Sequence, residues 1–502
     1  MKISASSLFF VAALISTSRA TPTTNVKAQT SGSKLVFCHF MIGIMSNRVS
    51  ASDYDADMKR AKSLGIDAFA LNIGTDPYTD TQLGFAYRSA ANNNMSVFIS
   101  FDFNWWSTGD AIGVGNKIAQ YAGLPAQLHV NGKVFASSFA GDGLDITALK
   151  SAAAAGGFSN VYFAPNFHPG VGSLTALDGA LNWLGWQNDG NNKAPQGGVT
   201  VTVTEGDQKY KSALSSTQGY IAPTHFGPEV SYSKNWVFPS DLLWYMRWLE
   251  ILKLQPTFIE IVTWNDYGES HYIGPLSSTH TDDGGSKWVN DMPHNGWLEM
   301  AKPFIAAYKA GNSSPNSYIT SDQIVYWYRI TSKDLNCDST DTTMVAANNS
   351  TGNYFKGRPN GYETMADDVF VVPLLTSAGT ITVNTGALEY KFDAPAGASA
   401  FSVPFQVGTQ SFTLSRNGAK VMSATSLKKI QDTCPCGIYN FNAYVGTVPE
   451  GARDVLGSAG LTAFANGLHV ACNPTPSLPA TPPATSAATA TSSARVVAPT
   501  AV

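Results

Sequence analysis

From Lys34 onward, short apolar runs alternate with amphipathic stretches, and that rhythm predicts repeated βα units. Apolar or alternating runs place strands at 35–42, 67–73, 96–102, 134–139, 160–166, 199–203, 219–225 and 258–262. Between them, Tyr54, Met58, Ala61 and Leu64 recur at helical spacing, with Ser52 placed to cap a helix over 52–64 and Gly65 to stop it. Further helices are predicted at 81–93, at 239–252 on Leu242, Leu243, Met246, Leu249 and Leu252, and at 296–308. Asn131-Gly132 in front of the fourth strand is a hairpin signal. Eight strands with helices between them predict an α/β fold, a (β/α)8 TIM-like barrel over 34–310.

The pattern then changes. Residues 311–321 have linker composition, and from 322 to 473 short alternating runs divided by Gly, Asn and Ser predict an all-β, sandwich-like domain packed against the barrel. Residues 474–502, rich in Pro, Ala, Ser and Thr and almost uncharged, are expected to be a disordered tail. At the other end, Lys2, the apolar run 8–15 and Ser18-Arg-Ala20 have the three-part layout of a secretory signal over 1–20, followed by a leader over 21–33. A secreted, extracellular or cell-wall location follows. No later stretch is long and apolar enough to span a bilayer.

Composition sharpens this. With 44% hydrophobic and 14% charged residues the chain is a folded protein of low charge density, and a net charge of −4 provides no basic field for nucleic acid or an anionic membrane. Five cysteines fit an oxidising compartment: Cys38 lies in an apolar strand and is expected free and buried, while Cys337, Cys434, Cys436 and Cys472 form two disulfides. A bridge between Cys434 and Cys436 is sterically poor, and the spacing matches no common zinc pattern. Sequons stand at Asn94, Asn312, Asn348 and Asn349.

The candidate chemistry collects at the predicted strand ends. Asp102 closes the third strand, and the eighth runs into Trp264-Asn-Asp266-Tyr-Gly-Glu269, so three carboxylates face one barrel mouth. Around them lie Asn72, Trp105, Trp106, Asn166, His168, His225, Trp264, His271 and Tyr272. Rings that stack on the C–H faces of a sugar, with amides and carboxylates for its hydroxyls, suit a neutral saccharide. Cleaving a glycosidic bond takes one carboxyl group as acid and one as base or nucleophile. The competing readings are plain: an Asp and a Glu three apart also serve as loop caps, Trp105 and Trp106 also serve as core, and His39 and His129 are assigned structural hydrogen bonds. Metal-assisted hydrolysis lacks a His-Glu-x-x-His helix or paired histidines, so no cofactor is expected.

Residues 34–43, Phe101-Asp-Phe-Asn-Trp-Trp106, Asn166-Phe-His-Pro169, Tyr232-Ser-Lys-Asn-Trp236 and above all Thr263-Trp-Asn-Asp-Tyr-Gly-Glu-Ser-His-Tyr-Ile-Gly-Pro275 resemble glycoside hydrolase family 71, the fungal endo-α-1,3-glucanases or mutanases. The resemblance covers about 34–473. It implies inverting hydrolysis of α-1,3-glucan with Asp102, Asp266 and Glu269 as essential carboxylates, Glu269 being assigned as acid, Asp266 as base and Asp102 as their partner. It also groups Trp236 with the substrate-binding residues. A monomer acting on a polysaccharide, without nucleic-acid or membrane partners, is the expectation. The alternatives are a hydrolase of another polysaccharide and a non-catalytic glucan-binding wall protein.

Overall fold

The computed structural model describes residues 34–190, 193–226, 236–341, 358–465, 470–478, 490–492 and 495–496. The signal and leader over 1–33, the 232–235 part of the fourth motif and the sequons at Asn348 and Asn349 lie outside the described residues.

Eight parallel strands form the first sheet: β1 (Leu35–Met41), β2 (Ala68–Ile73), β3 (Ser96–Asp102), β4 (Lys133–Phe139), β5 (Val161–Phe163), β6 (Gly179–Leu181), β7 (Gly219–Thr224) and β8 (Phe258–Ile261). Their spatial order, β5-β4-β3-β2-β1-β8-β7-β6, follows the chain around a curl. A ninth strand, His129–Val130, folds back on β4 through Asn131 and Gly132, whose φ values of 52° and 74° suit that two-residue turn. At the edges of the curl, Asp178 N donates to Phe163 O at 3.1 Å and Leu181 N to Pro165 O at 2.9 Å. Helices α1 (Asp55–Ser63), α2 (Thr79–Asn92), α3 (Ala111–Ala122), α4 (Ile146–Ala155), α5 (Val203–Ala213), α6 (Leu243–Leu254) and α7 (Asn295–Lys309) follow individual strands. Among the described residues no helix is long and apolar enough to cross a membrane.

The period of two along the strands sorts side chains between two cores. Leu35, Phe37, Ala68, Ala70, Phe98, Phe135, Ile221 and Phe258 pack together inside the curl, with the Phe37 and Phe98 rings edge to face at 5.0 Å. Their neighbours Val36, Cys38, Phe69, Leu71, Ile259 and Ile261 point outward into the helices. Each Val, Leu, Ile or Phe among them contributes roughly 1.5–3 kcal/mol on burial.

The sixth strand is a correction. The run at 199–203 makes isolated bridges, Gln196 to Val199 and Asn188 to Val201, and Val203 opens α5. Thr202 and Glu205 form a capping box, Thr202 N donating to Glu205 Oε2 at 2.7 Å and Glu205 N to Thr202 Oγ1 at 3.2 Å. The β-branched alternation thus concealed a helix start, and the strand itself is Gly179–Leu181, which carries no β-branched residue. The first helix also starts differently, through a 3-10 turn at Ala51–Tyr54 capped by Ser50 rather than Ser52.

Past α7 come two further sheets. β9 (Gln323–Arg329), β10 (Asp368–Leu375), β13 (Phe401–Pro404) and β16 (Ala443–Val448) lie in the order β16-β9-β10-β13; β11 (Gly379–Thr385), β12 (Leu388–Ala394), β14 (Gln410–Arg416) and β15 (Ala419–Thr425) in the order β15-β14-β11-β12. One core joins them, with Tyr326 stacked on Phe412 at 3.8 Å and Phe392 on Phe401 at 3.7 Å. The opposite face of β9 presents Val325 and Trp327 to the helices of the first sheet. Trp297 and Trp327 meet edge to face at 5.8 Å, and Trp327 Nε1 donates to Asp241 O at 2.7 Å. β9 is therefore buried on both faces, which is why Ile324 to Tyr328 runs apolar and aromatic without polar alternation. Disulfides join Cys337 to Cys434 and Cys436 to Cys472, and Cys38 is a buried free thiol. In the stretch read as a disordered tail, Ala490–Ser492 pairs with β12 and Arg495–Val496 with β13, where edge strands offer unpaired backbone groups.

Candidate active site

The strand alternation that fills the curl with Phe37, Phe98 and Phe258 brings His39, Asn72, Asp102, Glu260 and His225 to the same interior face, nearer the carboxyl ends of the strands. Asp102 is the last residue of β3 and is 7% exposed. Asn104 N donates to its Oδ1 at 2.9 Å, as the chain turns back through Trp105 N and Trp106 N onto Asp102 O. Burial raises the Asp102 carboxyl above the ordinary carboxylate range; the Asn104 N–H, the His39 ring and the Asn72 amide pull it back, and the charge of Glu269 adds a smaller push upward.

Asp266 and Glu269 stand on a loop after β8. Asn265–Asp266 pairs antiparallel with His271–Tyr272, and the 3-10 turn Tyr267–Glu269 lies between. Ser270 closes that turn at φ 58°. Asn265 imitates a strand neighbour for β1, accepting from Met41 N at 2.7 Å and donating to Met41 O at 3.1 Å. Thr263 Oγ1 accepts from Asp266 N at 2.9 Å and itself donates to His271 O. Both carboxylates are half-buried, and Glu269 Oε2 lies 3.7 Å from His271 Nδ1. His271 meets His225 edge to face at 4.2 Å. Burial, helped by His271 and opposed by Glu269, pushes the His225 imidazole well below its usual value, so it is neutral.

The residues singled out from sequence divide into two groups. Asn72, Asp102, His225, Asp266, Glu269 and His271 come together at this end of the sheet. Trp105 stands at its rim, 70% exposed, over Gly74. The others serve elsewhere. Trp264 is fully buried against Phe69, its Nε1 donating to Asp57 Oδ1 at 2.9 Å, so it is core and not a sugar platform. Tyr272, also fully buried, stacks on His294 at 4.0 Å and donates to Met292 O. Asn166 bridges the gap between β5 and β6, donating to Leu181 O at 3.0 Å. Trp106 packs on Phe101 and donates to Ile73 O at 3.2 Å. Trp236 is 6% exposed among Trp186 and Phe238, and His168 sits on the surface with Asp142 Oδ2 2.7 Å from its Nδ1.

Two residues were missed as neighbours of the carboxylates. His39 Nδ1 and Glu260 Oε1 are 2.8 Å apart and both fully buried, and His39 acts electrostatically on Asp102. The structural hydrogen bond assigned to His39 is present, yet it belongs to the site. The signal was available: Leu35-Phe37-His39 and Phe258-Glu260 each continue an inward-facing alternation into a polar residue. Trp183, half-buried, closes the wall beside them, edge to face with His39 at 4.9 Å and with Phe139 at 4.7 Å. Among the described residues no group of three His, Cys, Asp or Glu side chains could hold a metal ion. Several carboxylates of unequal environment, beside the neutral His225 ring and indoles, can divide proton donation from proton acceptance on a neutral polyhydroxylated ligand.

The family model of Glycosyl hydrolase family 71 matches residues 32–457. Among curated proteins the chain is similar to a mutanase of Penicillium rubens, with 40% identity over 83% of this chain and 89% of that one. It is also similar to a glucan endo-1,3-alpha-glucosidase of Schizosaccharomyces pombe, with 33% identity over 84% and 96%. An ascus wall endo-1,3-alpha-glucanase of the same yeast shares 27% identity over 74% and 86%.

Proposed function

Because the chain belongs to glycosyl hydrolase family 71 and is thus a glycoside hydrolase, we propose that its substrate is α-1,3-glucan, cut within the chain by a pair of carboxyl groups. The observation that carries this reading is that Asp102 ends β3 on the interior face that also bears His225, while Glu269, on the loop after β8, lies beside His271, whose ring packs on His225. Asp266 stands three residues before Glu269 on the same turn. In the reaction, the Glu269 carboxyl delivers its proton to the glycosidic oxygen as the bond to the anomeric carbon breaks. Water attacks that carbon from the opposite face and gives its proton to Asp266, which inverts the configuration. Asp102, lifted by burial and held by the Asn72 amide, positions a sugar hydroxyl beside the pair. Trp105 and Trp183 supply ring faces at the rim and wall.

The finer architecture belongs to the same proposal. The hydrogen bonds between the β5 and β6 sides support reading the curled sheet as a (β/α)8 barrel, and the shared core of the two later sheets supports a β-sandwich. Two disulfides and the ascus wall relative support a secreted protein acting on wall polysaccharide. The test is incubation with insoluble α-1,3-glucan, with starch and β-1,3-glucan alongside, following reducing ends and the anomer released. Sugar is expected from the first substrate alone, as the β-anomer. The retained anomer would instead make a carboxylate the covalent nucleophile, and binding without release would favour a wall-binding protein.

A further inference from the structure

The turn carrying Asp266 and Glu269 is gripped from outside the curled sheet. Gly268 N donates to Asp283 Oδ2 at 2.6 Å, and Asp283 Oδ1 accepts from Gly285 N at 3.1 Å. The approach leaves no slack: a Cβ on Gly268 would stand 2.8 Å from Asp283 Oδ2, and one on Gly285 would stand 2.5 Å from Tyr267 O. Farther along the loop, Leu276 N and Ser277 N donate to the two oxygens of Asp454 at 2.6 and 2.8 Å. Asp454 is 3% exposed and follows β16, so the β-rich part of the chain supplies it. More ties cross the same junction. Asp282 Oδ2 accepts from Ala463 N at 2.7 Å. Asn442 Nδ2 donates to Tyr272 OH at 3.0 Å, and the buried His294 ring bridges Tyr272 O at 2.7 Å and Asn442 Oδ1 at 3.0 Å.

Asp102 is fixed by a seven-residue strand inside the sheet, whereas Asp266 and Glu269 ride on two-residue strands and one 3-10 turn. Such a loop holds its own geometry poorly, and proton transfer needs the groups placed to within about half an ångström. A buried carboxylate accepting two N–H groups is a strong clamp. We propose that Asp454 is a positioning residue for the turn that carries Asp266 and Glu269, which makes the β-rich part an integral piece of the active site rather than a detachable glucan-binding module. This inference rests on the α-1,3-glucanase reading.

The test uses the full chain and soluble α-1,3-gluco-oligosaccharides. Asp454→Asn puts an NH2 against one of the two N–H donors; Asp322→Asn, which breaks an ion pair with Arg416 at 2.6 Å elsewhere in the β-rich part, is the control for simple loss of stability. Asp282→Asn, which sets an NH2 against either Ala463 N or Gly284 N at a more exposed tie, is the second variant should Asp454→Asn not fold. Rates are referred to protein with a native near-ultraviolet circular dichroism spectrum. We expect kcat to fall about tenfold or more in Asp454→Asn and a few-fold in Asp282→Asn, with KM and adsorption to insoluble glucan within about twofold of wild type and Asp322→Asn at wild-type kcat. Unchanged kcat in both loop variants would overturn the inference, as would a rise in KM with loss of adsorption at constant kcat. An inert wild type would overturn the substrate reading and the inference with it, whereas an active wild type beside fully active variants overturns the inference alone.

Discussion

Asp102 shows how one residue's environment sets both its chemistry and its cost. Its folded carboxyl sits above the unfolded value because burial outweighs its hydrogen bonds, so ionising it as pH rises through that value destabilises the fold. Asp102→Asn should therefore melt at or above the wild-type temperature at pH 7, while kcat on α-1,3-glucan falls by about two orders of magnitude or more. Calorimetry and initial rates on one preparation check both halves; a variant that is both active and less stable would contradict them. His39 and Glu260 are a matched case: a fully buried pair is kept where each group needs the other, since stranding one partner costs about 3–5 kcal/mol. Alternation made both legible as inward-facing. It did not say that a histidine facing inward from β1 would reach Asp102 two strands away.

At the scale of elements, regular strands and helices were read well where period and caps agreed, and poorly where they conflicted. The 199–203 run has strand period but sits on a capping box, and the helix won because Thr202 and Glu205 satisfy orphan N–H groups that a lone strand there would leave without a sheet neighbour. The loop after β8 is a different matter, since no period governs it. Its packing is tight at Gly274, where a Cβ would lie 2.6 Å from the Trp264 ring and 2.7 Å from Trp264 O. Gly274→Ala should cost more than tenfold in kcat, because displacing Trp264 displaces Asp266 two residues on. Gly84→Ala, in α2 with nothing within 4 Å of its Cβ, should keep full activity and gain about 0.5–1 kcal/mol in a urea titration. Equal activity in the two variants would mean the loop tolerates that shift.

For the whole molecule, the informative group is Asp241, at the junction of α6 with the β-rich part. Its carboxyl accepts from Ala366 N at 3.1 Å, and burial pushes it up to about 6 against weaker opposition from that N–H and from Arg329, with Asp368 adding to the rise. The sign follows from linkage: a carboxyl with a raised folded value binds more protons folded than unfolded, so the stability it contributes at low pH is lost as pH rises from about 4 to about 6. Asp241→Asn keeps an acceptor for Ala366 N and cannot ionise. Its melting temperature relative to wild type should rise across that window and level off above it, by an amount on the order of 3 kcal/mol in stability. A difference that is flat with pH would show that the junction does not sense this charge.

Some properties of this protein were determined by sequence alone, because they depend on periodicity or on residues adjacent in the chain. These are the βα rhythm, the change to alternating runs after residue 321 and the family motif around Asp266 and Glu269, whereas which of the four cysteines pair was decided by the fold. Tertiary structure decided which rings of that motif turn toward a ligand. Trp264 and Tyr272 have the same local character as the exposed Trp105. Yet Trp264 is drawn into the core by Asp57, 207 residues away, and Tyr272 by Asn442, 170 residues away. A strand's period assigns a side chain to a face, but a loop has no period. The direction of its side chains is set by partners brought from distant parts of the chain, and those become visible only once the chain has folded.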